Sequence, residues 1–191
     1  MKATVERIRR EKNGSTCFLT LKIQAPRPRT HAYRVHAALY AEVGCPDVGD
    51  VLEGEALALL TEEEDRTLAV KRAVEILAYG DTSAAALLRK LRERGFSAEA
   101  AGHAVSLMTE KGYIREEELL LRQIALYGKK GWGPRRILPA LLRKGFPRAS
   151  VVEAFSRAKS EGLYDAEAIK AALADGLSEE AAHAIWKKRG F

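Results

Sequence analysis

The sequence predicts a mainly α protein: tandem three-helix repeats forming an elongated curved array, with a small N-terminal cap that contains a β-hairpin. Three observations predict it. Apolar and polar residues alternate over much of the first sixty positions, the period of a half-buried strand. Beyond Thr67 the apolar spacing becomes helical. The helical part also repeats itself at an offset of fifty residues. On this reading residues 1–65 are the cap, 66–114 the first repeat, 115–164 the second, and 165–191 a truncated third.

In the cap, Thr4 to Ile8 alternates, and so in part does Thr16 to Ile23. Lys12-Asn13-Gly14 lies between them, and Asn-Gly suits the positive φ angles of a tight hairpin. Pro26 and Pro28 end the second strand. Thr30 to Val35 makes a third strand, with Tyr33 and Val35 on one face. A short helix over His36 to Val43 follows, then the turn-rich Gly44 to Asp50.

In the repeats, Leu87 to Phe96 matches Ile137 to Phe146, and the same offset carries Gly112 onto Gly162 and Tyr113 onto Leu163. The glycines fall where helices should stop, since glycine adopts the left-handed conformation of a helix terminus without steric cost. An earlier helix opens each unit: Thr67 to Ala78 in the first and Glu117 to Tyr127 in the second. The acidic runs Glu62 to Asp65 and Glu116 to Glu118 are placed just ahead of these helices, where the dipole favours negative charge. The third unit runs from Asp165 to Ala174, breaks at Gly176, and restarts at Ser178, a good N-cap followed by Glu179 and Glu180. Pro134 suits the first position of its helix, which leaves Pro139 in the interior, where it removes a hydrogen bond and kinks the helix. One such unit cannot bury its apolar stripe alone; stacked neighbours do.

The composition excludes several classes. Apolar residues make up 47% of the 191, enough for a core. No stretch reaches the roughly 18–20 apolar residues of a membrane span, and no apolar run follows the charged N-terminus as in a secretory signal. Cys17 and Cys45 are too few for a disulfide framework or a zinc site, so the cytoplasm is the expected compartment. His31, His36, His103 and His183 are scattered, with no ligand partner at metal-binding spacing. No nucleophile elbow, Walker-type loop or dinucleotide fingerprint is present. Gly128 to Gly133 is glycine-rich but joins two helices and follows no strand. No enzyme, metal or cofactor is expected.

Charge is the informative property. The net +6 divides into −2 for residues 1–65 and +8 for the remainder, a pattern that serves either a polyanionic partner or solubility. From Leu119 to Val152 there is no acidic residue, while Arg122, Lys129, Lys130, Arg135, Arg136, Arg143, Lys144 and Arg148 fall within it. Tyr127, Trp132 and Phe146 are interleaved. Phe146 matches Phe96 and belongs to the core; Trp132 lies in a turn and is expected to be exposed. Basic side chains with an aromatic neighbour grip phosphates or a partner's carboxylates. The candidate binding residues are therefore these eight cations with Trp132. A merely solvated basic face is the competing reading.

The order and spacing of these motifs resemble the RecX family. The residues that carry the resemblance are Leu91 to Phe96, Leu141 to Phe146, Gly112-Tyr113, Gly162-Leu163, and the junction Lys130-Gly131-Trp132-Gly133-Pro134-Arg135-Arg136-Ile137. The opening hairpin and Val48 to Leu52 are similar to the family's leading segment. The resemblance implies a cytoplasmic regulator of recombination, DNA repair and the SOS response, acting as a monomer without a membrane. It would lodge in the groove of the RecA–DNA filament and restrain ATP hydrolysis and strand exchange, touching DNA directly or through the filament. Departures are the short third repeat, Pro139, and the glycine-broken Tyr79 to Ser83. Two alternatives stay open: a stand-alone nucleic-acid-binding module, and a helical scaffold for another acidic protein.

Overall fold

The structure, a computed structural model, describes residues 2–11, 15–24 and 27–191. The expected Lys12-Asn13-Gly14 turn and Pro26 lie outside the described residues. Two compact units divide the chain: Met1–Lys71 with Phe96–His103, and Arg72–Gly95 with Ala104–Phe191.

The first unit contains four strands: β1 (Lys2–Arg10), β2 (Thr16–Gln24), β3 (Arg29–His36) and β4 (Val51–Glu53). They form an antiparallel sheet in the order β3-β2-β1-β4. Period-two alternation sets its inner face: Cys17, Leu19, Leu21 and Ile23 of β2 are buried, as are Tyr33 and Val35 of β3. Helix α1 (Ala37–Glu42) begins at His36, whose ring accepts the Leu39 N–H at 3.2 Å. Leu57 and Leu60, from the start of α2 (Glu55–Ala78), complete this core.

Helix α2 begins twelve residues earlier than the expected Thr67, so the acidic run Glu62 to Asp65 lies inside it rather than ahead of it. Those carboxylates have tertiary work instead. Glu64 meets the His31 ring at 2.6 Å and Glu63 approaches His36 at 3.7 Å. Asp65 accepts the Ser97 N–H at 3.0 Å, and Arg66 pairs with Glu99. His31 and His36 thus acquire carboxylate partners that their sequence neighbourhood does not contain.

The remaining helices are α3 (Ala84–Glu93), α4 (Ala98–Glu110), α5 (Glu116–Lys129), α6 (Pro134–Arg143), α7 (Arg148–Ser160), α8 (Ala166–Ala174) and α9 (Glu179–Arg189). Helix α5 carries Glu116, Glu117 and Glu118 in its first turn, where they complement its dipole. Pro134 and Pro139 sit at the start and in the interior of α6, as expected. One core joins α5, α6 and α7, formed around Ile124, Ile137, Leu141, Val151 and Phe146. The fold is mainly α with a small N-terminal antiparallel sheet, in agreement with the sequence.

Within the second unit, successive repeats meet by a recurrent contact. Helices α3, α6 and α9 share a place in the repeat, and each ends at a glycine near φ +90°: Gly95, Gly145 and Gly190. The carbonyl just before Gly145 is that of Lys144, and it accepts the Ser83 hydroxyl at 2.8 Å, at the start of α3. At the next junction the Arg189 carbonyl accepts Gly133 N–H at 2.8 Å and the Gly190 carbonyl accepts Arg135 N–H at 2.9 Å, at the start of α6. At the second junction the C-terminal carbonyls of α9 satisfy orphan backbone donors of α6, whereas at the first the end of α6 takes the hydroxyl of the α3 N-cap; in both, opposite dipole ends meet. Gly133 has no side chain to cap α6, and the end of α9 takes that role.

Ser83 serves both functions at the first junction, since its hydroxyl also accepts the Ala86 N–H at 3.2 Å while 2% exposed. Ser83→Ala is expected to lower stability by about 1–2 kcal/mol in chemical denaturation, the loss of an N-cap and a buried hydrogen bond.

Candidate functional site

The candidate residues occupy the second repeat and its borders. Arg122 and Lys129 lie on α5, with Lys130 as its C-cap. Arg135, Arg136 and Arg143 lie on α6, Lys144 is its C-cap, and Arg148 opens α7. All eight cations are exposed.

The centre of the arrangement is an aromatic pair. Tyr127 and Trp132 stack with ring centroids 4.6 Å apart and planes within 10°. The Gly131 φ of +69° closes the turn that brings them together, with Trp132 N–H donating to the Tyr127 carbonyl at 3.1 Å. Arg136 lies over the Trp132 ring at 4.1 Å, while Lys144 and Lys130 lie 5.4 and 6.0 Å from the Tyr127 centroid. Lys144 also donates to Gln123. Four of the nine candidates, Lys130, Trp132, Arg136 and Lys144, are thus gathered around one stack.

Trp132 departs from expectation. It is half-buried rather than exposed, because its indole packs on the core and its turn is locked from outside. Its carbonyl accepts the Tyr164 hydroxyl at 2.9 Å. Burial pushes that phenol up to about 12. An unfolded tyrosine loses its proton first, near its ordinary value of about 10, so the folded state loses stability as pH rises from 10 to about 12. Tyr164→Phe is expected to be less stable than wild type at pH 7 by about 1 kcal/mol. The gap should narrow between pH 10 and 12, as measured by denaturant midpoints.

Arg122 stands apart from the others. Asp81, from the first repeat, pairs with it, so the segment that lacks acids in sequence receives one in space. The other seven cations form no ion pair among the described residues. Arg135 and Arg136 occupy the first turn of α6, the positive end of its own dipole, with the C-terminal carbonyls of α9 seated against it. Helices α5 and α9 carry glutamates at the same place.

The sequence also leaves two cations unnoticed. Arg89 and Lys90, on α3, line a cavity together with Arg143 and Lys144. They belong to the run Arg89-Lys90-Leu91-Arg92-Glu93-Arg94, but they are separated from those partners by more than fifty residues, so only the fold shows that they meet. Among the described residues, no group of three or more His, Cys, Asp or Glu side chains could hold a metal ion, and no helix is long and apolar enough to cross a membrane.

The fold and this surface define a class: a small helical-repeat protein whose second repeat carries unneutralised positive charge around an aromatic stack. No family model matches the chain. It is 34% identical over 88 residues to the regulatory protein RecX of Pseudomonas fluorescens strain SBW25, covering 46% of this chain and 57% of that one. It is likewise 34% identical over 91 residues to regulatory protein RecX of Ectopseudomonas mendocina strain ymp, covering 47% and 61%. The match thus spans about six tenths of the length of these relatives. A crystal structure of regulatory protein RecX shares the fold, with a TM-score of 0.67 at 14% identity over 99% of this chain and 94% of that one. The resemblance to the RecX family stands, in sequence over about half the chain and in fold over nearly all of it.

Proposed function

We propose that this chain is a RecX-type regulator of the RecA recombinase, which binds the RecA–DNA filament through the second repeat and restrains ATP hydrolysis and strand exchange. The observation that carries this reading is the likeness to RecX regulatory proteins at 34% identity over 88 residues. The surface chemistry supports it. Seven exposed cations without ion-pair partners supply long-range attraction to a polyanion, and the arginines supply planar, bidentate contacts. A helical array offers an extended binding surface and needs no catalytic group. The protein acts in this reading as a cytoplasmic monomer without cofactor or metal.

The alternative of a stand-alone nucleic-acid binder uses the same cations, and phosphate contacts would dominate its affinity. The two are separated by measuring affinity for labelled single-stranded DNA with and without a RecA coat. Filament regulation predicts much tighter binding to the coated strand at the same salt. Equal or weaker binding to the coated strand would assign plain DNA binding.

A further inference from the structure

We infer that the junction of the first two repeats is a binding site for a phosphate-bearing ligand, held by Arg89 and Lys90 from α3 and by Arg143 and Lys144 from the end of α6. A cavity of about 250 Å³ opens there, and these four side chains line it. Its floor is apolar and fixed, made in part by Leu119 and Phe146, both buried.

The geometry follows from the inter-repeat contact. Ser83 holds the Lys144 carbonyl at 2.8 Å, and a Cβ on Gly145 would lie 2.8 Å from that of Ala85, so the end of α6 is seated against the first turn of α3. Ala86 also lines the cavity. Positions three and four residues along a helix share a face, which puts Arg89 and Lys90 on the same side as Ala86. Two cations from each repeat therefore converge because the backbones that carry them are fastened together.

The charge balance selects the ligand. Asp81 also lines the cavity, but it is paired with Arg122. Arg89 shares its charge with Glu93 at 3.6 Å. Lys90, Arg143 and Lys144 have no ion pair among the described residues. This surplus exceeds the single charge of a carboxylate and suits a terminal phosphate or diphosphate, which carries about −2 or more at neutral pH. Guanidinium forks and ammonium point charges are the donors such groups favour.

The site belongs to one junction alone. At the fifty-residue offset, the counterparts of Arg89 and Lys90 are Pro139 and Ala140, which carry no charge. The inference shares Arg143 and Lys144 with the proposed filament surface, but Arg89 and Lys90 lie outside it, and it does not depend on RecA. The phosphate could belong to a nucleic-acid backbone or to a free nucleotide or diphosphate.

The test is calorimetric titration of the full chain with inorganic pyrophosphate and, separately, with a single-stranded oligothymidylate. The variants are Arg89→Ala/Lys90→Ala and Arg143→Ala, with circular dichroism to verify the fold. Wild type is expected to bind at one site per chain, and both variants to lose about tenfold or more. Loss confined to pyrophosphate assigns a free phosphate ligand. Loss for the oligonucleotide, with pyrophosphate displacing it, assigns a backbone phosphate. Three results overturn the inference: neither probe binds wild type, both variants bind as wild type does, or the oligonucleotide weakens without displacement by pyrophosphate. Arg135→Glu/Arg136→Glu should retain pyrophosphate binding, so failure of the filament reading and failure of this one are separable.

Discussion

Replacing Arg135 and Arg136 together by glutamate is expected to leave stability within about 1 kcal/mol of wild type while weakening filament binding about ten- to a hundredfold. The two effects have different origins. At the first turn of α6 its own dipole repels a cation, but the C-terminal carbonyls of α9 seated there attract one, so the two reversals together gain at most about 1 kcal/mol. Against this, Arg136 loses its contact with the Trp132 face, worth about 0.5–1 kcal/mol at an exposed site. The hydrogen bond from Arg135 N–H to Gly190 is backbone and survives the change. What disappears is exposed positive charge without an ion-pair partner, the property on which the proposed filament contact rests. Fluorescence anisotropy on RecA-coated DNA measures the affinity, and a folded double variant that binds like wild type would remove this surface from the site.

Gly133→Ala is expected to lower stability by about 1–3 kcal/mol, or roughly 3–10 °C in thermal unfolding. Its backbone, at φ −85° and ψ 166°, is one that alanine adopts freely, so conformation is not the cause. A Cβ there would lie 2.3 Å from the Gly190 oxygen and 2.6 Å from the Phe191 nitrogen, both backbone atoms that cannot rotate aside. Gly112→Ala provides the contrast. Gly112 has φ +71° with open space around it, so it should lose only about 1 kcal/mol from backbone strain. Hydrogen exchange should place the Gly133→Ala damage in α8 and α9. Equal effects of the two substitutions would mean that the junction contributes nothing beyond turn conformation.

Much of this architecture is legible in the sequence because its signals are local. Glycines that end helices and alternating apolar residues in β2 and β3 act within a few positions of themselves, and the fifty-residue offset only repeats such local signals. The start of α2 is illegible for the opposite reason. Glu62 to Asp65 looks like a helix boundary, and only the distant His31, His36 and Ser97 show why the helix runs through it. Gly133 looks like a turn residue until the end of α9 is placed against it. Trp132 looks exposed until Tyr164 and Tyr127 close around it. The candidate surface follows the same division. Its cations form a run that the sequence displays, whereas the pairing of Arg122 with Asp81, and the meeting of Arg89 and Lys90 with Arg143 and Lys144, depend on how the repeats join.

The central claim is regulation of a recombinase filament rather than occupation of DNA. It is tested most directly by the DNA-dependent ATPase rate of the cognate RecA, titrated with this protein at substoichiometric ratios. Filament regulation predicts strong inhibition at concentrations too low to cover the DNA. Inhibition that begins only when the protein saturates free DNA would contradict the claim, and the likeness to RecX would then describe the fold of a simple nucleic-acid binder.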